Sequence, residues 1–287
     1  MRRRRLRWPR PAKNTRTRGG DVPFGESRCR GTVSTYTDEG IILRRVNFAE
    51  ADRILTILTR EHGKIGVIAR GVRKPRSKMG PHTDLFARSQ MQFATGRGQL
   101  AVLTQAMHTK VPAVLVDARR AACASLCAEL ADRVLEGDHP LDVGIFDLVA
   151  TALEACAIAD RDPRSAVAWF TRRMIDLLGY APAIDRCASC ADALPERAAH
   201  FSAAGGGLLC VRCSPGDPRA VECSVRVIKV LRVAATGDDE LFWRIRLDAA
   251  TLDTLELVIE QELEQHLERR LRSLDVLRAL GPTPPRC

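Results

Sequence analysis

The fold of this chain is decided by residues 39–80, EGIILRRVNFAEADRILTILTREHGKIGVIARGVRKPRSKMG. Three runs rich in Ile, Leu, Val and Thr, at residues 40–47, 53–59 and 64–71, alternate with short polar segments, which is typical of β-strands. The charged segment REHGK separates the second and third runs, and its Gly63 can adopt the positive φ of a tight turn. The stretch therefore predicts three consecutive strands, the last two joined by a hairpin.

Two further runs, at residues 85–94 and 99–107, complete a predicted β region of five short strands at residues 36–111. Five short strands with a basic connector suit a small barrel of the OB type. Beyond this region the apolar residues recur every three or four positions, which predicts an all-helical domain at residues 112–280. Residues 251–277 are predicted to form one long final helix, because leucines follow one stripe along it. The expected fold class is α+β.

The first residues of the chain are basic and lack any hydrophobic period. Residues 1–35 combine Arg, Pro, Gly and Thr, which predicts a disordered tail that either adds nonspecific DNA affinity or is not made, if translation starts at Val33. The net charge of +10 is unevenly distributed: residues 1–37 carry +9, residues 38–112 carry +7 and the remainder −6. This asymmetry favours a polyanionic partner for the first half of the chain.

Two Cys-x-x-Cys pairs, separated by nineteen residues, lie in residues 185–215 and interrupt the predicted helices. This spacing predicts a zinc-ribbon-like insert that binds Zn²⁺. A shell of four thiolates has no open position for water or substrate, which indicates a structural ion. The alternatives are two unrelated reduced pairs, a redox-active pair, or replacement of one thiol by His200 or Cys223. The predicted ligands are Cys187, Cys190, Cys210 and Cys213.

A basic segment, RGVRKPRSKM at residues 70–79, follows the third predicted strand and contains five cations and no acid. Neutralising several phosphates releases counterions and gives salt-dependent affinity, so we expect this loop to bind a DNA backbone. The alternative is a solvated charged loop. Aromatic residues are few in the β region (Tyr36, Phe48, Phe86 and Phe93), so binding with little sequence preference is expected. The predicted DNA-binding residues are Arg70, Arg73, Lys74, Arg76 and Lys78, with Arg44 and Arg45 on the first strand as further candidates.

Motifs of the common enzyme classes are absent from the sequence, which has no P-loop, no dinucleotide-binding glycine motif and no H-E-x-x-H. Glu50 and Asp52 could bind a metal as nuclease carboxylates do, but we expect them to end a loop and pair with arginines such as Arg53. The chain is therefore predicted not to be an enzyme. No apolar run approaches the roughly 18 residues of a membrane span and no secretory signal is visible, which predicts a cytoplasmic protein with reduced thiols.

The series EADRI, HGK and ARG within residues 39–80, with the helical part and the four-cysteine insert, resembles the RecO family of bacterial recombination-repair mediators over about residues 37–277. The resemblance implies an OB-fold followed by a helical domain with a zinc-finger insert. It also implies binding of single- and double-stranded DNA, strand annealing without ATP, RecR and the single-stranded DNA-binding protein as partners, and loading of the RecA recombinase. The basic tail departs from the family pattern.

Two other functions stay open at this point: a zinc-dependent nucleic-acid hydrolase, and an RNA-binding protein with an OB-fold and a zinc ribbon. If the resemblance holds, the acidic tail of the single-stranded DNA-binding protein would need a basic, partly apolar groove in the helical domain. The helical arginines that are candidates to line it are Arg119, Arg120, Arg133, Arg172 and Arg173.

Overall fold

The structure, a computed structural model, describes residues 34–95, 100–135, 143–194, 197–267 and 270–281. The predicted disordered tail lies outside these ranges apart from its last two residues, and the first strand already begins at Thr35. Within the described ranges, no helix combines the length and the apolar character that a membrane crossing requires.

Five strands close into a barrel in the order β1-β2-β3-β5-β4, which confirms the five-stranded barrel predicted from the sequence. All neighbouring pairs are antiparallel except β3 and β5, which run parallel. A second sheet of three short strands, in the order β7-β6-β8, lies in the cysteine-rich insert. The strands are β1 Thr35–Phe48, β2 Asp52–Thr59, β3 Gly63–Ala69, β4 Arg88–Ala94, β5 Ala101–Lys110, β6 Ala199–Ser202, β7 Gly207–Leu209 and β8 Val221–Cys223.

The predicted hairpin between β2 and β3 is held by a buried carboxylate. Gly63 has φ +74°, as the turn requires. Asp38 of β1 accepts hydrogen bonds from the backbone N–H groups of Glu61 and His62, at 3.0 and 3.2 Å. The ring Nδ1 of His62 lies 2.8 Å from the same Asp38 oxygen. The HGK motif therefore has a structural role in closing this turn.

The remainder of the chain is helical, and polar residues cap most of its helices. The side chains of Asp117, Ser224, Asp238 and Asp248 each accept a backbone N–H of the first turn that has no partner within the helix. Gly237 ends α4 with φ +79°. The helices are α1 Ala118–Val134, α2 Val143–Ala157, α3 Arg164–Leu177, α4 Val225–Thr236, α5 Asp239–Arg244, α6 Ala249–His266 and α7 Arg272–Ala279.

The barrel is fixed to the helices by a shared apolar core and by an arginine clamp. Ile41, Leu58 and Phe86 of the barrel are buried in the same cluster as the helical core. Beside them, Arg60 forms ion pairs with Glu39 at 2.9 Å and with Asp147 of α2 at 2.8 Å. Its guanidinium also lies over the ring of Phe146 in α2, 4.3 Å from the centroid. Barrel and helices are therefore packed as one body.

The prediction of a single final helix over residues 251–277 is wrong. Helix α6 ends at His266, Leu267 is extended with ψ 131°, and α7 begins at Arg272. The carboxylate of Glu129 on α1 accepts hydrogen bonds from the N–H groups of Arg272 and Ser273, at 3.1 and 2.8 Å. The break is stable because Glu129 satisfies the first N–H groups of the new helix.

Two of the arginines predicted to line a groove are buried instead. Arg120 donates to four backbone carbonyls at and after the end of α2, those of residues 156, 158, 159 and 161, at 2.6 to 3.1 Å. Arg172 is 3% exposed and forms ion pairs with Asp176 and with Glu262, the latter at 3.5 Å. Arg120 therefore satisfies helix-end carbonyls, and Arg172 places a positive charge beside the buried Glu262.

The buried acid Glu262 makes stability depend on pH. Burial raises its pKa to about 7, although Arg172 opposes this shift. Its ordinary value of 4.5 applies in the unfolded chain. Above pH 7 the folded protein holds a poorly solvated carboxylate, which lowers the free energy of unfolding. This destabilisation disappears as the pH falls towards 4.5.

We expect the free energy of unfolding of the wild type to fall by roughly 3 kcal/mol between pH 4.5 and 7 relative to that of Glu262→Gln. The neutral amide keeps the size of the side chain and removes the charge that titrates. Urea unfolding at several pH values measures the difference, with Glu264→Gln, an exposed position on the same helix, as the control. Parallel pH profiles of wild type and Glu262→Gln would contradict the assignment.

Candidate metal centre and nucleic-acid interface

The four predicted cysteine ligands converge in the structure. The Sγ atoms of Cys187, Cys190, Cys210 and Cys213 all lie within 4.8 Å of one another. Within the described ranges, this is the one group of three or more His, Cys, Asp or Glu residues placed to share an ion. Neither His200 nor Cys223 belongs to it, and burial of Cys223 in β8 raises its pKa to about 12. The group could therefore hold one metal ion through four sulfur ligands.

Each cysteine pair sits on a tight turn whose backbone hydrogen bonds aim both thiols to one side. In the first turn, the N–H of Ala191 donates to the carbonyl of Cys187 at 2.9 Å. In the second, the N–H of Cys213 donates to the carbonyl of Cys210, also at 2.9 Å. The backbone N–H of Cys210 also donates to Sγ of Cys187, at 3.3 Å, and so connects the two turns.

A glycine in β7 brings the insert close to the segment that precedes the first turn. Gly207 has φ +143°, and an added Cβ atom would lie 2.2 Å from the carbonyl oxygen of Ala183. The N–H of the next residue, Leu208, donates to that same oxygen at 2.8 Å. Only glycine fits at this position, because the two backbones are in direct contact.

The electrostatics of the four sulfurs fit a cation. Burial opposes ionisation of Cys187, but the backbone N–H groups of Cys190, Cys210 and Ser189 outweigh it and lower the Cys187 pKa to about 6. For Cys190, the N–H of Asp192 is the largest single influence and favours ionisation, but the three neighbouring cysteine sulfurs and desolvation together outweigh it and raise the pKa to about 12. One thiolate therefore forms readily and suppresses the next. A thiophilic cation removes this conflict and allows all four to ionise.

The predicted cationic loop leaves the end of β3 as expected and is anchored at its base. Gly71 has φ +66°, and its N–H donates to the Asp52 carboxylate at 2.8 Å. Val72 is buried in the barrel core, and the N–H of Arg73 donates to the carbonyl of Ala51 at 3.0 Å. The loop is therefore held against the turn between β1 and β2.

All five cations of the cationic loop, the segment at residues 70–78, are exposed. In the part of the chain that the structure describes, none of them is in an ion pair with a carboxylate. The positive charge of the loop is thus free to meet an external anion. The five residues are Arg70, Arg73, Lys74, Arg76 and Lys78.

The other two candidate cations on the barrel have acidic partners. Arg44 lies 3.5 Å from Asp132 and keeps a 63% exposed side chain. Arg45 is paired with Asp84. Arg53 also pairs with Asp84, at 3.1 Å. The expected pairing of Arg53 with Asp52 is wrong, because Asp52 instead anchors the cationic loop through the N–H of Gly71.

Sequence reasoning missed two features of the surface. Val46 and Phe48 at the end of β1 are exposed, and the alternating pattern of RRVNF was a signal that they share one face. The second feature is an open groove of about 710 Å³ along α4. Its floor contains three valines and Ile245, and four cations surround it. These cations are Arg226, Lys229, Arg244 and Arg246.

Comparison with known proteins identifies relatives over nearly all of the described chain. Residues 33–111 match the family model described as recombination protein O N terminal, and residues 115–275 match recombination protein O C terminal. A Roseiflexus protein named DNA repair protein RecO is 34% identical over 244 residues, 84% of each chain. The DNA repair protein RecO of Streptomyces avermitilis is 33% identical over 259 residues, 84% of this chain and 98% of the relative. The chain therefore belongs to the recombination protein O (RecO) family, as the resemblance of its sequence indicated.

Proposed function

We propose that this protein is a DNA repair and recombination mediator that binds single- and double-stranded DNA and anneals complementary strands without ATP. Membership of the RecO family supports a role in DNA repair. The observation that carries the finer proposal is the cationic loop, whose five exposed cations have no acidic partner among the described residues. Such a loop attracts phosphates of any sequence. In this proposal residues 36–111 form the DNA-binding domain and residues 112–280 the domain that binds protein partners.

The mechanism is physical and needs no catalytic residue. Cations at the surface reduce the repulsion between two phosphate backbones and raise the local concentration of both strands. Base pairing then supplies the free energy, so no nucleotide is hydrolysed. The Arg73 guanidinium donates to the carbonyl of Glu50 at 3.2 Å, which keeps the base of the loop in place while its tip meets the backbone.

The ion we propose for the four-cysteine group is structural Zn²⁺. Four thiolates match the closed tetrahedral shell that zinc adopts in structural sites. When bound, the ion would neutralise the thiolates and cross-link the two turns. This chain's contribution is the backbone geometry that aims the four sulfurs at one point.

Partner binding is proposed at the groove along α4 in place of the arginines predicted from the sequence. Arg226 pairs with Asp248 at 3.2 Å and donates to the carbonyl of Arg246 at 2.6 Å, so it closes one end. Lys229 and Arg244 are exposed at its rim. This groove is basic and partly apolar, as the acidic tail of the single-stranded DNA-binding protein would require. RecR and the RecA pathway are further partners that family membership implies. We place this protein in the cytoplasm at the nucleoid, where its DNA lies.

The test is annealing of complementary oligonucleotides without ATP, either bare or coated with the single-stranded DNA-binding protein. We expect roughly tenfold or greater acceleration in both cases, with strands of unchanged length. Lys229→Glu combined with Arg244→Glu should lose the acceleration for coated strands and keep it for bare ones. Arg219→Glu with Arg270→Glu reverses the same number of exposed charges elsewhere and should change neither.

Each failure of this experiment has a distinct meaning. Shortened strands would show a nucleic-acid hydrolase, and no acceleration in either case would end the annealing proposal. If excess RNA displaces the chain from single-stranded DNA far better than DNA does, the RNA-binding alternative would replace it. Loss of both activities in the groove variant would show that the groove binds DNA rather than a protein.

A further inference from the structure

The outer surface of the barrel carries apolar side chains that neither hydrophobic core uses. Val46 of β1 lies opposite Ile54 of β2, Ile54 opposite Ile68 of β3, and Ile68 in register with Val102 of β5. Residues in register on neighbouring strands share a face of the sheet, so these four form one row across four strands. We call them the apolar row. None of the four belongs to the buried clusters of the barrel or of the helices.

Phe48 extends the apolar row at the end of β1. It lies two positions after Val46 and therefore on the same face of the strand. The exposed fractions of Val46 and Phe48 are 50% and 48%. The other phenylalanines of the barrel, Phe86 and Phe93, are each at most 1% exposed. Adjacent large apolar side chains that remain half exposed are typical of a binding surface.

Cations flank this surface on both sides. Arg44 lies two positions before Val46 on the same strand, with a 63% exposed side chain. On the opposite side, Asp52 lies in register with Phe48 on the neighbouring strand. Its carboxylate accepts a hydrogen bond from the N–H of Gly71 at the base of the cationic loop. The apolar row and Phe48 therefore lie between Arg44 and the cationic loop.

We propose that Phe48 and the apolar row bind the bases of an unpaired nucleic-acid strand whose phosphates lie on the cationic loop. This inference rests on the proposed function and adds a base-binding surface to it. The flanking charges select a polyanion, and an unpaired strand is a polyanion that offers a flat apolar face with each charge. A duplex keeps its bases stacked inside, so it meets only the cations. The surface therefore distinguishes unpaired from paired strands, in addition to the electrostatic binding expected from the sequence.

The test compares three probes of equal length by fluorescence anisotropy: oligo(dT), a strand of abasic sites, and a DNA duplex. We expect the wild type to bind oligo(dT) about tenfold more tightly than the abasic strand, because stacking on one aromatic ring has about that effect. Phe48→Ala should remove this preference and leave the affinity for the abasic strand and the salt dependence unchanged. Phe48→Trp should keep the preference, and its fluorescence should change when oligo(dT) binds.

Leu115→Ala is the matched control, because Leu115 is an apolar side chain with 58% exposure that lies outside the barrel. It should bind all three probes as the wild type does. Equal affinity of the wild type for oligo(dT) and the abasic strand would overturn the base-binding surface while the proposed DNA binding stands. The base-binding surface would also be overturned if Phe48→Ala weakened the binding of oligo(dT) and of the abasic strand equally. It would likewise be overturned if Phe48→Ala changed the oligomeric state but kept the preference for oligo(dT). Failure of the wild type to bind any probe would overturn both proposals.

Discussion

Replacing Arg73, Lys74 and Arg76 together by alanine is expected to weaken the binding of single-stranded DNA on the order of 100-fold near 0.1 M salt. Because the variant makes fewer phosphate contacts, its binding to DNA releases fewer counterions. The slope of log affinity against log salt should therefore become shallower by about 2. The three side chains are exposed and none belongs to either apolar core. The hydrogen bond from the Arg73 side chain to Glu50 is lost, but the backbone N–H groups of Gly71 and Arg73 still hold the base of the loop, so the fold should not change. Titrations at four salt concentrations measure both quantities.

A control for net charge is available in the acidic half of the chain. Arg212, Arg219 and Arg270 are exposed, and each pairs with a carboxylate at the surface. Replacing these three by alanine removes the same charge and should leave the salt slope as it is. If both triple variants lose affinity equally, the effect comes from net charge, and the cationic loop is a solvated rim.

Cys187→Ser is expected to abolish stoichiometric zinc binding and to destabilise the insert strongly. Structural zinc sites contribute about 10 kcal/mol or more to folding, because the site does not exist in the unfolded chain. The effect should spread, since Phe201 and Leu208 of the insert are buried in the helical core. Metal analysis of the purified protein and thermal unfolding test this, and proteolysis should cut first within residues 183–223.

Val211→Ala is the matched control for the metal centre. Val211 lies between two of the ligands and is 59% exposed, so its loss leaves all four thiols in place. Single-stranded DNA binding by Cys187→Ser at low temperature should equal that of the wild type, because the cationic loop is on the barrel. A Cys187→Ser protein that stays fully stable but loses DNA binding would contradict a structural role for the ion.

The barrel and the four-cysteine group were predictable because their signals are largely local. Alternating apolar residues mark β2 and β3, and the glycine of REHGK adopts the positive φ expected of it. Cys-x-x-Cys turns have few conformations, so the spacing predicts that each turn presents two thiols and that the two turns share one site, where the four thiols converge. The position of the cationic loop followed from the end of β3. Its role in DNA binding remains a prediction.

Features that depend on distant residues were not predictable in this way. Arg120 and Arg133 lie on the same helix, yet only the first is buried, because the end of α2 meets it. The break after α6 depends on Glu129, more than a hundred residues earlier in the chain. Phe48 and Phe86 look alike in sequence, but Phe48 stays half exposed, whereas packing of the helices against the barrel buries Phe86.

The arginine clamp between the barrel and α2 has a consequence for how two ligands would be spaced. Arg60 joins Glu39 to Asp147 and lies over Phe146, and the apolar core continues behind it. A strand held on the barrel and a protein held on α4 would therefore be carried by one packed body, and we expect this packing to set their separation. The chain would then determine how far along the DNA the protein bound at α4 lies from the strand bound at the barrel.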